Sequence, residues 1–453
     1  MNKVEKIINN LFLSKFIKRE ELKQGITNSG WLFLDKFIRI LFGFFVNIQI
    51  TRYLGPEQYG TWNYILAFIV LFMPISSLGL ESIVVRELIS EPGNKNRILG
   101  SAFILRITGS IFAMIICSIA FIVQNSGNTV ILLYFFINIA VFVFSPFEII
   151  DYFYLSKSKS KYSVFSKTFV FILLNGVKIF FLFAGFTLPW FIAIHVIDIS
   201  LGLILLVFVY NSRFESIFLW KFDKLLAIKF FKESWILMFS SMITILYMKI
   251  DQIMIHEMLN DKELGYYSAA LRISEMWYFI PVIITNSLMP ALVNSYAFDK
   301  NLFQRKMQRL LDTLVWISLI IGTLIGLQSK FIVELLYGPS FVNTALILSI
   351  HIWSGIFVFI GVAIASWITI KQHSKINFYK TSIGAIANIG LNLFLIPKYG
   401  AIGAAIATCI SYFLAAVASN LLFKETFVLM GMVLNTLNVP RIFKEIYNEK
   451  YNT

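Results

Sequence analysis

Apolar segments long enough to cross a bilayer follow one another along nearly the whole chain of 453 residues. A helix needs about 20 such residues to traverse a hydrocarbon core about 30 Å thick. The segments fall at roughly 31–51, 61–84, 98–123, 130–153, 163–185, 188–210, 235–256, 266–292, 310–329, 342–370, 376–396 and 400–423. Lipid offers no partner for bare backbone N–H and C=O groups, so each must be helical. The expected fold class is all-α: a polytopic membrane protein of about 12 transmembrane helices. Charged residues make up 14% of the chain, against about 25% in a soluble domain.

The basic residues sort onto one side of these segments. With the N-terminus in the cytoplasm, 28 lysines and arginines fall in inward loops and ends, and only Arg52, Lys262, Lys330 and Lys398 fall in outward ones. Such a bias fixes topology. An even number of spans puts both termini inside a plasma membrane. The same residues account for the net charge of +14. Nucleic-acid binding is a poor reading of that charge, because no soluble basic domain exists to carry it.

The first thirty residues lack the apolar core of a secretory signal. They place Val4, Ile7, Ile8, Leu11 and Phe12 on one helical face, with Lys3, Glu5, Lys6, Asn9 and Asn10 opposite. That is the pattern of an interfacial amphipathic helix. Residues 427–447 are expected to lie on the membrane similarly. Cys117 and Cys409 fall inside spans, with no CxxC, and read as small packing residues. No loop exceeds about twenty residues, which leaves no room for an extracytoplasmic catalytic domain.

The chain reads as two related halves. Phe165-Ser166-Lys167-Thr168 recurs as Phe378-Tyr379-Lys380-Thr381, and Asn175 then matches Asn388 without a gap. Gly55–Thr61 matches Asp261–Tyr267 more loosely, through Gly60 and Gly265. Six spans per half make the repeats parallel, with substrate bound between them in alternating access. The expected divisions are 1–30 (cytoplasmic segment), 31–215 (first six-helix lobe), 216–423 (second six-helix lobe) and 424–453 (cytoplasmic tail).

Ionisable residues inside a membrane are costly and point to function. The cations are Lys36, Arg39, Arg106, Lys167, Lys178, Lys249 and Arg272; the deep carboxylates are Asp35, Asp198, Asp251 and Glu275. Asp35 and Arg39 are four apart and can pair. His195 and Asp198 share a helical face, as do Arg272 and Glu275. Lys167 and Lys249 are expected to snorkel to the interface. The cationic excess suits an anionic ligand, and arginine suits a phosphate best through its fork geometry. Pro74 and Pro281 are expected bending points.

Several segments carry a family resemblance. Thr51-Arg52-Tyr53-Leu54-Gly55-Pro56-Glu57-Gln58-Tyr59-Gly60 leads to Ser77-Leu78-Gly79-Leu80-Glu81 and Arg86-Glu87-Leu88. Ile250–Ile255 and Gly265–Ala270 follow, and the run Asn388–Ala405 reads NIGLNLFLIPKYGAIGAA. The whole resembles the bacterial polysaccharide flippases, the O-antigen and capsule repeat-unit translocases of the multidrug/oligosaccharidyl-lipid/polysaccharide exporter superfamily. The resemblance implies an undecaprenyl-diphosphate-linked oligosaccharide as substrate, the lipid bilayer as medium, and a polysaccharide polymerase and chain-length regulator as protein partners. It implies a cationic cavity lined by Arg39, Arg272 and Arg52, and the intramembrane charges themselves add Lys36 and Lys178 as candidates for its lining. In similar lipid II flippases a sodium ion is held by residues matching Asp251, Asn388, Asn392 and Thr408. Here Asn392 replaces a carboxylate, which weakens a hard-cation site. Proton coupling through Asp251, Asp198, His195 or Glu275 is equally open, and no cofactor or firm metal site is expected.

Rival readings fare less well. A multidrug antiporter of the same superfamily exports organic cations and needs an acidic cavity. A membrane polymerase or acyltransferase needs an acid/base pair or a long outward loop. A scaffold would leave the intramembrane charges without a purpose.

Overall fold

The computed structural model describes residues 19–438, 440 and 441. Among the described residues there is no β-strand, and the helices follow one another almost without interruption. The amphipathic helix expected near the N-terminus lies outside the described residues.

Among the described residues, ten helical segments are long and apolar enough to cross a membrane, against the dozen expected. The difference has two sources. The first segment, Gly30–Ser90, runs 61 residues and contains two expected spans. The helix Ser374–Tyr399 is the other, diluted by Lys375, Lys380, Asn388, Asn392 and Lys398.

Two compact units emerge: the first takes in the chain up to Ile50 and Phe68–Met242, the second Thr51–Ala67 and the chain from Ile243 onward. Helix α1 (Arg19–Ser77) serves both. Its one non-helical residue is Gly55, at φ 73°. The expected bend at Pro74 is not where the helix breaks; it runs on to Ser77 and is left at Leu78 and Gly79, both at positive φ.

In the first unit, α2 (Glu81–Ser90) and α3 (Lys95–Gln124) precede a span in pieces: α4 (Thr129–Asn138), α5 (Val141–Phe144), a 3₁₀ turn at Ser145–Glu148 and α6 (Ile149–Ser156). Pro146 explains the interruption, since it has no N–H for the helical ladder. Helices α7 (Lys161–Phe183) and α8 (Leu188–Arg213) complete the unit with the start of α9 (Lys224–Met258). The core joins Val84, Leu99, Ile149, Tyr154, Leu206 and Phe230. Ser76, Ser110 and Ser145 bond one another at 2.6–3.0 Å, the small-residue contact that lets membrane helices approach.

At the end of this unit where the basic loops collect, Lys95 meets Glu215 at 2.5 Å and Arg97 meets Asp223. The Lys95 hydrogen bond holds the Glu215 carboxyl below its ordinary range. Asp223 is held low first by the Leu226 N–H, then by Arg97.

The second unit holds the rest of α9, α10 (Asp261–Glu275), α11 (Phe279–Phe298), α12 (Lys300–Leu327), α13 (Ser329–Tyr337), α14 (Thr344–His351), α15 (Ser354–Ile370), α16 (Ser374–Tyr399), α17 (Ala401–Ala416) and α18 (Phe427–Asn435). The 3₁₀ turn between α10 and α11, Met276–Tyr278, immediately precedes Pro281, so this proline does mark a break. Phe303, Met307, Leu311, Phe359, Trp367 and Leu429 form the core.

The Thr51–Ala67 section of α1 docks on the α9–α10 turn. Thr61 donates to Asp261 at 2.6 Å, Tyr64 donates to Glu257 at 2.8 Å, and the Tyr64 ring stacks on His256 at 3.5 Å. Gly60 and Gly265, matched as repeat positions in the sequence, face one another here. A Cβ on Gly60 would stand 1.7 Å from the Asp261 carbonyl, and one on Gly265 would stand 1.8 Å from that of Pro56. Only glycine allows this approach. Gly60→Val or Gly265→Val should therefore lower stability by about 1–3 kcal/mol. Gly93, with nothing within 4 Å, is the control site for the same substitution. Thermal unfolding in detergent checks this; a wild-type midpoint for Gly60→Val would contradict it.

Candidate functional site

Asp251 lies on α9 and is 3% exposed. Its carboxylate is surrounded by three helices. Tyr267 of α10 donates its hydroxyl to Oδ2 at 2.8 Å, and Thr408 of α17 donates to the same oxygen at 2.6 Å. The Asn392 amide of α16 donates to Oδ1 at 2.6 Å. Asn388, one helical turn away, accepts from Asn392 at 3.1 Å and donates to Ser411 at 3.4 Å. Among the described residues, no cation pairs with Asp251. Its charge is held by neutral donors alone, and buried carboxylates ordinarily need a counter-charge or a proton.

The structure thus brings together Asp251, Asn388, Asn392 and Thr408. Sequence reasoning missed Tyr267 and Ser411. Hydroxyl residues on helical faces are too common to stand out, and nothing in the spacing of Tyr267 signals its direction. His351 of α14 sets its ring edge-on to Tyr267 at 6.0 Å and takes a 2.7 Å hydrogen bond with Ser274, so it positions the Tyr267 wall.

One atom of the cluster stands out: the Asn392 carbonyl Oδ1 is buried and has no hydrogen-bond partner. Buried polar atoms rarely stay unpaired. The amide faces Asp251 and Asn388 through Nδ2, so turning it over would set Oδ1 beside the oxygens of Asp251, Asn388 and Thr408, and all-oxygen sets of that kind suit hard cations. No group of three His, Cys, Asp or Glu side chains suited to a metal exists among the described residues.

In the first unit most of the intramembrane charges are matched, Lys36 excepted. Arg39 donates from Nε to Asp35 at 2.8 Å, lies 4.8 Å over the Phe171 ring, and leaves Nη2 buried without a partner; Thr168 also donates to Asp35. Lys178 of α7 meets Asp198 of α8 at 3.2 Å, both largely buried. Arg106, 1% exposed, bonds Glu148 at 2.8 Å and Tyr152 at 3.0 Å. Lys167 pairs with Asp151, where snorkelling was expected. His195 is half-buried on α8, one turn from Asp198, in a different unit from Asp251.

These pairs correct the inventory of charges. Glu148 and Asp151 belong to the pieced span and were not counted among the deep carboxylates. The turn at Ser145–Glu148 aims them at Arg106 and Lys167. The cationic excess therefore does not reside in Arg39 or Lys178. It resides in Lys36, Arg52 and Arg272, which are exposed, and in half-buried Lys249; none of the four makes an ion pair among the described residues. Arg272, with Lys249, acts electrostatically on Glu275, three residues along α10.

Residues 26–295 match the family described as polysaccharide biosynthesis protein. The chain belongs to this family. Among its relatives, the capsular polysaccharide biosynthesis protein CapF of Staphylococcus aureus is 23% identical over 418 residues, which span 89% of this chain and all of CapF. Among solved structures, lipid II flippase MurJ in an inward closed conformation superposes with a TM-score of 0.67 at 16% identity, over 91% of each chain. A multidrug resistance MATE family transporter of the MOP superfamily, in its inward-facing conformation, gives 0.71 at 11% identity, over 89% of this chain and 99% of its own. At these identities the likeness concerns the fold. This member of the polysaccharide biosynthesis family is a multi-pass membrane protein with the fold of flippases and transporters.

The Lys178–Asp198 pair yields a direct test. Removing one partner of a buried ion pair strands the other charge, at about 3–5 kcal/mol. Lys178→Met alone should be strongly destabilising, and adding Asp198→Leu should recover most of the loss. Thermal unfolding of the purified variants measures this. Equal loss in single and double variants would show that the two side chains do not depend on each other.

Proposed function

We propose that the protein moves an undecaprenyl-diphosphate-linked oligosaccharide, the repeat unit of an O-antigen, capsule or similar surface polysaccharide. Transport runs from the cytoplasmic to the outer leaflet of the bacterial plasma membrane by alternating access, with both termini in the cytoplasm. The observation that carries this reading is the set of unmatched cations. Most charges inside the spans have a partner, yet Lys36 and Arg272 stay exposed and unpaired, as does Arg52 just beyond the first span. Such residues are costly unless they serve a ligand, and a diphosphate is the anion that a family of polysaccharide biosynthesis proteins would handle. Arg39 adds a guanidinium with one free, buried nitrogen, and Lys178 would join once its carboxylate lets go.

We further propose that the Asp251 cluster is the coupling site, taking either a sodium ion or a proton. Its donors fit both: four oxygens for the ion, or one buried carboxylate for the proton. Asp198, His195 and Glu275 are secondary proton carriers in this scheme. Asp198 is engaged by Lys178, which makes it the poorer candidate.

Arg272 tests the substrate reading. Arg272→Ala should abolish surface glycan while membrane abundance stays normal, and Arg272→Lys should restore only part of it, because lysine lacks the fork that grips a phosphate. Full glycan display by Arg272→Ala would remove Arg272 from the substrate path.

A further inference from the structure

A second ligand site is built where three helix junctions of the second unit meet. The α9–α10 turn, the approach to α14 and the α16–α17 turn border a half-open pocket of about 450 Å³. Its floor is apolar, from Leu259, Leu346 and Ile402, and three polar groups rise around it: Glu263, Asn343 and Tyr399. That size and make-up are typical of small-ligand sites, which are mainly apolar with a few convergent polar groups. By the charge-derived topology all three junctions lie on the outer side.

Each polar group is held by the fold yet has no work to do in it. Glu263 sits in the first turn of α10, where Asn260 accepts from its backbone N–H at 2.9 Å. Its carboxylate makes no hydrogen bond or ion pair among the described residues, and its Oε2 lies 3.8 Å from where a Cβ on Gly400 would stand. Gly400, at φ 61°, occupies the left-handed conformation that glycine tolerates best. This turn ends α16 and leaves the Tyr399 ring 57% exposed. Asn343 precedes α14 without capping it, so its amide is free. Thr344 beside it is anchored to the Tyr266 carbonyl at 3.2 Å, which fixes the approach.

We propose that this pocket binds an uncharged sugar of the transported glycan at the outer face. A carboxylate and an amide offer acceptors and donors to hydroxyl groups. An aromatic ring and an aliphatic floor cover the apolar face of a pyranose. No Lys or Arg lines the pocket, so it does not suit the diphosphate, and Glu263 repels an acidic sugar. This inference rests on the flippase reading for its biological meaning. The binding itself does not, because free sugars probe it without transport.

Saturation-transfer NMR on the full chain in lipid nanodiscs, with glucose, galactose, N-acetylglucosamine and glucuronate as probes, tests it. At least one neutral sugar should receive saturation and glucuronate should not. Tyr399→Ala and Asn343→Ala should each erase or weaken the transfer, and Glu263→Gln should admit glucuronate. No transfer to any neutral sugar, as when a lipid headgroup fills the pocket, overturns the proposal. So does transfer that survives both Tyr399→Ala and Asn343→Ala, or equal transfer to glucuronate in the wild type. A second measurement uses proteoliposomes with undecaprenyl-diphosphate bearing either one sugar or the whole oligosaccharide. Tyr399→Ala should slow the oligosaccharide-bearing lipid about tenfold more than the single-sugar lipid, the worth of one good contact; equal slowing of both counts against the pocket. If the wild type moves neither lipid, the flippase reading fails and the sugar-binding result stands by itself. If it moves both but no sugar binds, the pocket proposal alone fails.

Discussion

An ion or polar group inside hydrocarbon must find a partner within the protein, and this constraint organises both units. It explains why Arg106 sits against Glu148 and Tyr152, why Lys178 meets Asp198, and why three serines join where helices approach closely. It also explains which departures matter. Asp251 has partners but no counter-charge, Asn392 has one orphaned oxygen, and Arg272 has no paired acid. Groups of this kind inside a membrane are candidates for completion by a ligand or ion.

Hydropathy and the sidedness of basic residues made the fold class legible from the sequence, because both follow directly from bilayer physics. What hydropathy could not show was where spans break. Residues 130–153 read as one helix, and the Pro146 interruption that reorients Glu148 and Asp151 was overlooked. The charge balance was misjudged as a result. Conversely, α16 was expected as a span from its apolar run at 376–396, although its lysines and asparagines lower its apolar character.

The candidate site was half legible. Asn388 and Asn392 share a helical face by their spacing alone. Their meeting with Asp251 and Thr408 spans well over a hundred residues of sequence and was suggested only by resemblance. Tyr267, Ser411 and His351 carried no signal, since their roles depend on the direction of helices that meet around one carboxylate. The Gly60–Gly265 contact shows the same limit. The repeat made both positions visible, but not that they touch.

The cluster at Asp251 makes the strongest claim on mechanism, and one measurement tests it most directly. Flipping of undecaprenyl-diphosphate oligosaccharide is followed in proteoliposomes under an imposed sodium or proton gradient, for the wild type and for Asp251→Asn. The account predicts that the wild-type rate responds to one of the two gradients and that Asp251→Asn, folded and inserted normally, responds to neither. A wild type indifferent to both would contradict it. The energy would then be better sought in the membrane potential acting on the unpaired cations, at about 2.3 kcal/mol per charge per 100 mV. An Asp251→Asn variant that responds as the wild type does would contradict it equally.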